Sequence, residues 1–557
     1  MVFGAAGEFQ PGKHLRDELS VTRTKSWAAT AVVSAIIALS SWAISSPVGS
    51  SPDDDFHNVS IWCGQGLRSG VCEQGSTPET VLVPETVFLN SSCFAFQFEK
   101  SGLCEESLKL GETDRVNLKQ ELYPQAYYWT MSWLVTEDIS ASIIAMRIVN
   151  LLLAVLALTV AVVYLPRHLR RVPIVSITLT SIPLTMFIIP SVNPSSWSIV
   201  SVLLFFSAML GLLVVKDWPK RIIFVSLALL SFAMGTGSRA DTPAYLLFAA
   251  CLAIFLTVNF GNISRIQKLL GLGAALATSL IFFVVFILPL FKTIFSGEGG
   301  LGAGPTDIKL STVVFNLLEL PYVFVGAFGL WALGWLDTPI PPTVWAITFG
   351  LYFAVLFAAL RSFDRRQKIA ILVVLAALVV VPMYFLSVNN LKVGEVIQPR
   401  YLLPLLGLVV SVALFRKSIQ GGLELSRSQV WLIGFGLFIG NLISLQINLR
   451  RYLTGLDVSQ LGFDFEPEWW WVAKPASGSL IWFSPNYLWI LGVMSFGLLL
   501  VSLWKLRSVL GLPGSETDDQ RIEQTSSQNY LNTIDAFNDK SKRTLEGSRP
   551  DQGFSGS

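Results

Sequence analysis

The chain has 557 residues, 52% of them hydrophobic and only 14% charged, with a mean hydropathy of +0.58. Soluble domains carry roughly a quarter charged residues, so a secreted enzyme, a coiled coil and a disordered scaffold are excluded. Lys+Arg 40 against Asp+Glu 38, a formal net charge of +2, argues against a nucleic-acid binder.

Apolar blocks long enough to cross a bilayer core alternate with short basic clusters along the chain. The fold class this predicts is an all-α polytopic membrane protein with about 12 transmembrane helices. Lys and Arg in short loops stay on the cytoplasmic side. The tail 1–26 holds Lys13, Arg16, Arg23 and Lys25, so the first span, near 27–47, runs outward. Its charged leader is long and no A-x-A-like site follows, so it is expected to remain as an anchor. Segment 48–138 is too long and too mixed to cross and forms a first extracytoplasmic loop.

The second span, near 139–165, returns to Arg167, Arg170 and Arg171. Later clusters are Lys216/Lys220/Arg221, Arg265/Lys268, Arg361/Arg365/Arg366/Lys368, Arg416/Lys417/Arg427 and Lys505/Arg507. Each falls where an inside loop is required, which places both termini in the cytoplasm. Residues 313–335 are apolar enough to span, but counting them would put Arg361–Lys368 outside. With Glu319 and Pro321 interrupting them, they are expected to form a re-entrant or interfacial helix within an outer segment, 293–341. Another outer loop is expected at 449–484. The membrane domain is therefore 27–507, and the polar remainder, 508–557, reads as a disordered cytoplasmic tail.

Cys63, Cys72, Cys93 and Cys104 lie in the first loop, and Cys251 sits alone in a span. Four cysteines on an exported loop imply two disulfides, with three connectivities open. A four-Cys zinc site would lack close CxxC pairs.

Just beyond the first span come Asp53, Asp54 and Asp55, then Phe56 and His57. One reading is a solvated acidic turn or helix N-cap. The other is a carboxylate held at the membrane surface to take a proton from an acceptor hydroxyl, with a neighbour orienting substrate or a divalent cation. Any of the three Asp could serve that cation. Arg147 lies inside the second span, where it must pair, snorkel or face an aqueous cavity. Arg239 and Asp241 mark a turn that a local salt bridge alone could explain. Arg400 opens another span beside Tyr401, as an interfacial anchor would. Several outer arginines opposite an acidic turn point to an anionic lipid headgroup, since guanidinium grips phosphate with a bidentate fork.

Gly297-Glu298-Gly299-Gly300-Leu301-Gly302 fits GxGxxG, but no strand precedes it, and a flexible loop is expected. Trp469-Trp470-Trp471 reads as an interfacial belt before it reads as a sugar platform. No Walker A, HExxH or GxSxG motif with partners is present.

Pro52-Asp53-Asp54 followed by His57 is similar to the acidic-pair-then-His signature of the first outer loop in GT-C glycosyltransferases. Asn193-Pro194-Ser195, Gly334-Trp335-Leu336-Asp337-Thr338-Pro339-Ile340-Pro341, Arg400-Tyr401-Leu402-Leu403-Pro404 and Arg451-Tyr452…Gly455 extend the likeness over about 50–455. With these the chain resembles the actinobacterial-type membrane family "domain of unknown function 2142", regarded as GT-C-like. It departs at Asp54, where Glu is usual, and at Pro399, where Gly is commoner.

The resemblance implies a transferase in a bacterial plasma membrane. It would move a sugar from a polyprenyl-phosphate donor to a glycan, lipid or protein acceptor of the envelope, on the extracytoplasmic side. Asp53 would be the base and Asp54 would position the acceptor or a divalent cation; no cofactor is certain. Arg239 and Arg400 would hold the phosphate, Arg147 would assist from below, and His57 and Asp337 would line the pocket. One base with direct displacement implies inversion. The rival readings are a transporter or flippase of a lipid-linked or anionic precursor, and a non-catalytic assembly subunit. Against transport, the chain shows no internal repeat, and its notable polar residues, Arg147 excepted, lie at loop edges.

Overall fold

The computed structural model describes residues 11–104, 107–118, 123–258, 310–388, 390–395, 397–417, 423, 425–458 and 484–512. The expected loop at 297–302, the tryptophans 469–471, most of the 449–484 loop and nearly all of the 508–557 tail lie outside them. So do the Arg265/Lys268 cluster and the first part of the 293–341 outer segment.

Helix α1 (Pro11–Ile44) leads into a long segment before the chain turns back. That segment contains α2 (Asp54–Trp62), β1 (Glu73–Gln74), β2 (Val81–Pro84), α3 (Glu85–Phe94), β3 (Leu110–Thr113) and α4 (Gln125–Ser132). Its strands form one small antiparallel sheet in the order β1-β2-β3. Two disulfides, Cys63–Cys72 and Cys93–Cys104, brace it and settle the connectivity that spacing leaves open. The thiols are spent in these bridges, not on zinc.

The helices that follow are α5 (Ile139–Tyr164), α6 (Arg167–Leu179), α7 (Pro183–Ile188), α8 (Pro194–Val214), α9 (Trp218–Thr236) and α10 (Thr242–Thr257). Helix α11 (Leu310–Val325) runs into a π-helical turn (Gly326–Leu330), followed by α12 (Pro342–Leu360) and α13 (Arg365–Val388). A 3-10 turn (Pro399–Leu402) enters α14 (Leu403–Leu414), and α15 (Arg427–Leu453), α16 (Pro485–Lys505) and α17 (Arg507–Leu510) complete the order.

Nine helices among the described residues are long and apolar enough to cross a membrane, against the dozen expected. Part of the difference is local. The block after Arg167 breaks between α6 and α7 around Thr180-Ser181-Ile182, so neither piece is long enough alone. Helix α10, at 16 residues, also falls short. The stretch expected to be re-entrant counts among the nine as Ser311–Leu330. Its Asn316 donates to Leu391 O at 2.8 Å and accepts from Val393 N–H at 3.0 Å, so the middle of α11 is level with the loop after α13.

The bundle has two distinct ends. The end on the side of the 45–138 segment carries Asp53 at the start of α2, Arg239 in the turn after α9, Arg400 in the 3-10 turn that enters α14, and Arg451 near the end of α15. At the opposite end, Arg366 donates to Val258 O, Gln367 to Val412 and Ala413 carbonyls, and Arg170 to Val509 O. Arg366, Gln367 and Arg170 thus satisfy carbonyls at helix ends on that side. Between the ends, α8 is buried almost throughout. Glycines allow the close approach: Phe224 lies over Gly211, Leu203 over Gly407, and Ser41 and Leu445 against Gly492, each leaving no room for a methyl group.

Candidate functional site

The last carbonyls of α1 have no partner within the helix. Arg147 of α5 supplies it: its two Nη groups donate to Ala43 O (2.8 Å), Ser46 O (2.6 Å), Pro47 O (2.8 Å) and Ser50 Oγ (3.2 Å). This explains how an arginine sits buried inside a span. Both Nη groups of Arg147, the residue expected to assist at a lipid phosphate, are thus directed to backbone carbonyls and Ser50.

The chain thus fixed turns at Pro52-Asp53. Asp53 adopts the left-handed conformation (φ 60°, ψ 22°) at the N-cap position of α2, yet its side chain makes no capping hydrogen bond. Non-glycine residues in that region store strain and cluster at functional sites. The strained backbone aims the Asp53 carboxylate at Arg400, whose Nη2 donates to Oδ2 at 2.5 Å.

The two neighbouring carboxylates go elsewhere. Asp54 is buried, accepting only from Ser51 N–H at 2.9 Å, and its Oδ1 has no partner. Burial pushes its carboxyl up to about 7 despite the charge of Arg147. Asp55 takes a two-point grip from Arg115 at 2.8 and 3.0 Å. The three carboxylates of the turn, any of which could have served a divalent cation, therefore face three different partners. Among the described residues no group of three or more His, Cys, Asp or Glu is placed to hold a metal ion.

Arg400 is 2% exposed, while the Asp53 side chain is 34% exposed. Burial pushes the Asp53 carboxyl up, but the Arg400 charge and hydrogen bond outweigh it and hold it below the usual carboxylate range. The Nε and Nη1 of Arg400 have no hydrogen-bond partner. Buried unsatisfied donors cost about 1–3 kcal/mol each and call for an explanation. Beside Arg400, the Tyr401 ring is near two guanidinium groups, 5.3 Å from Arg400 and 4.2 Å from Arg239. Arg239 grips Asp241 with Nε and Nη2, at 3.0 and 2.8 Å, and reaches Ser195 Oγ at 3.3 Å.

Asn193-Pro194-Ser195 ties these parts together. Asn193 accepts from Ser195 N–H, which starts α8, and donates to Pro52 O at 2.9 Å. His57 lies beneath, its Nδ1 2.9 Å from Tyr128 Oη and its ring edge-on to Tyr123. Burial pushes its imidazole down to about 3, so it is neutral. Asp53, His57, Arg239 and Arg400 are thus gathered in one cluster around Tyr123 and Tyr401.

The sequence profile of the predicted membrane proteins termed DUF2142 matches residues 36–409, two thirds of the chain. The chain belongs to the DUF2142 family. No curated protein and no solved structure matches it. The matched stretch holds the whole Asp53–Arg239–Arg400 cluster.

Asp337 of this DUF2142 protein stands apart from that cluster. It receives Arg451 Nη2 at 2.6 Å and Phe96 N–H at 3.2 Å, and Arg451 also donates to Phe94 O and Lys100 O. Nearby, Trp335 donates to Gly49 O at 2.8 Å. The Gly334–Pro341 motif therefore clamps the long segment to the bundle, and Asp337 is part of that clamp instead of lining the Asp53 cluster. Tyr123, Tyr128 and Arg115 were not singled out by sequence reasoning. They lie within the long segment, and no spacing marks them as neighbours of Asp53.

Proposed function

We propose that this DUF2142 protein is a membrane transferase that takes a sugar from a lipid-phosphate donor and passes it to a hydroxyl of an envelope glycan, lipid or protein. The reading assigns the Asp53 face to the extracytoplasmic side of a bacterial plasma membrane. The observation that carries it is the pairing of a part-exposed carboxylate, Asp53, with a buried arginine that keeps two N–H groups unpartnered. Such a pair offers a base and an anion site side by side.

In the resting state Asp53 neutralises Arg400 and Asp241 neutralises Arg239. A phosphate monoanion or dianion entering from the exposed Asp53 side competes with that carboxylate for the same guanidinium, whose Nε and Nη1 still lack acceptors. As the pair loosens, the carboxylate regains basicity and can accept the acceptor's proton. The acceptor oxygen then bonds to the anomeric carbon, the bond to the lipid phosphate breaks, and the departing negative charge stays at Arg400. Arg239, already held by Asp241, contributes its field and the cation face against Tyr401. Asp54, buried and with its carboxyl pushed up, supports the turn by accepting from Ser51 N–H and needs no contact with the acceptor.

The test is sugar transfer from a radiolabelled polyprenyl-phosphate sugar in membranes containing the chain or its Asp53→Asn variant. Loss of about a hundredfold or more in rate, the scale of general-base catalysis, supports the reading. Transfer at the parental rate by the variant overturns the assignment of Asp53. No transfer by the parent, with donors of several sugars, favours a non-catalytic role.

A further inference from the structure

At the end opposite the 45–138 segment, α6, α12, α15 and α16 enclose an apolar cleft of about 650 Å³. A glycine on each of two facing helices borders it. Gly434 on α15 and Gly497 on α16 both line it, and a Cβ at Gly434 would meet nothing within 4 Å. Phe435 and Phe438 form its walls, and the rings of Trp431 and Trp504 stand 6.0 Å apart across its end. An apolar cavity of this kind offers water no partners.

Its depth fits one kind of occupant. From Met494 to Trp504 along α16 is about 15 Å at 1.5 Å per residue. That is half of a hydrocarbon core about 30 Å thick, the length of a single leaflet. Charge is confined to one end. Arg507 is the one charged residue among the described lining residues, and its guanidinium lies 4.4 Å from the Trp504 ring centroid. Lys505 follows Trp504 in the chain, and Arg427 begins α15 one turn before Trp431. An aromatic pair at the interface with cations beyond it is the pattern that meets a lipid phosphate.

We infer that this cleft binds one acyl chain of an anionic phospholipid, with the phosphate beside Arg507. The site lies across the bundle from Asp53 and stands independently of the transferase reading.

The probe is chain-end spin-labelled phosphatidylglycerol or phosphatidylcholine, compared in vesicles that contain the full-length protein. The parent should immobilise more phosphatidylglycerol than phosphatidylcholine, by about one lipid per chain. Gly434→Phe, which fills the cleft, should remove that excess, while Gly434→Ala, which fits without clash, should keep it and so control for folding. Arg507→Gln should bring the two lipids to the same level. Equal immobilisation of both lipids by the parent overturns the inference. So does an unchanged phosphatidylglycerol excess in Gly434→Phe. Cross-linking of a Gly434→Cys variant to the chain beyond Leu512, with no lipid excess, would show the cleft closed by the protein itself and equally overturns it.

Discussion

Arg400 donates its Nη2 to the Asp53 carboxylate at 2.5 Å, across 347 positions of sequence. The arginine is buried and the aspartate is not, so the pair is solvated from one side only. Exchange of the carboxylate for another anion is open from that side, whereas Arg400 itself has nowhere to move. This asymmetry separates the pair from Arg451–Asp337, which is buried on both sides.

Removing either partner of the Asp53–Arg400 pair should have unequal effects. Arg400→Gln removes the charge that Asp53 and any phosphate would share. Asp53→Asn leaves the guanidinium with an uncharged acceptor and should cost about 2 kcal/mol of stability, the range for a hydrogen bond to a charged group. A double-mutant cycle followed by thermal unfolding in detergent should return a favourable coupling. Additive single effects would show that the two residues do not interact in the folded protein.

The raised carboxyl of Asp54 has a definite sign in stability. A folded-state value of about 7, against an ordinary 3.8, means that the native chain holds this proton more tightly than the unfolded chain. The stability linked to it is complete below about pH 4 and is lost as pH rises through about 7. Asp54→Asn keeps an acceptor for Ser51 and cannot ionise. The unfolding temperature of the parent should therefore fall relative to the variant between about pH 4 and 7. A parent-minus-variant difference that stays flat with pH would contradict the burial of an ionisable group there.

Asp337→Asn should destabilise the protein without a specific effect on chemistry. It leaves Arg451 buried and only partly neutralised, and breaking such a pair costs about 3–5 kcal/mol. Limited proteolysis should show earlier cleavage between residues 94 and 104, where Arg451 holds the Phe94 and Lys100 carbonyls. Unaltered protease resistance would mean that the clamp contributes little.

Arg147→Lys should fail to substitute for arginine although it keeps the charge. One ammonium cannot span three carbonyls and a hydroxyl as the guanidinium fork does. The expected readout is lowered yield of folded protein and faster unfolding for Lys and Gln alike. Full recovery of parental stability by Lys would show that charge alone, not the fork, matters at this position.

Much of the frame was legible because the bilayer demands long apolar helices and retains cations on one side. Those demands are local and act on consecutive residues, so hydropathy blocks and basic clusters mark them. The break after Leu179 was not legible, since Thr180-Ser181-Ile182 is only mildly polar and the block around it stays apolar. The candidate site was visible as residue types but not as partners. Asp53 and Arg400 stood out because charge is rare near the membrane, and the structure joins them. Arg147 stood out for the same reason, yet its acceptors are backbone carbonyls, which no side-chain pattern records. Asp337 drew notice within a motif whose task is to hold the long segment down.

The long reach of the Asp53–Arg400 pair bears on how the protein is made. At about 5–20 residues per second, the acidic turn leaves the ribosome roughly 20–70 s before its arginine does. During that interval Arg147 can already seat the exit of the first helix, because it follows within a hundred residues or so. Asp53 meanwhile waits unneutralised in solvent, and the cluster closes only when the helix bearing Arg400 arrives. A truncated nascent chain ending before that helix would thus display a tethered but incomplete turn, and protease access to residues 51–57 should drop late in synthesis, not early.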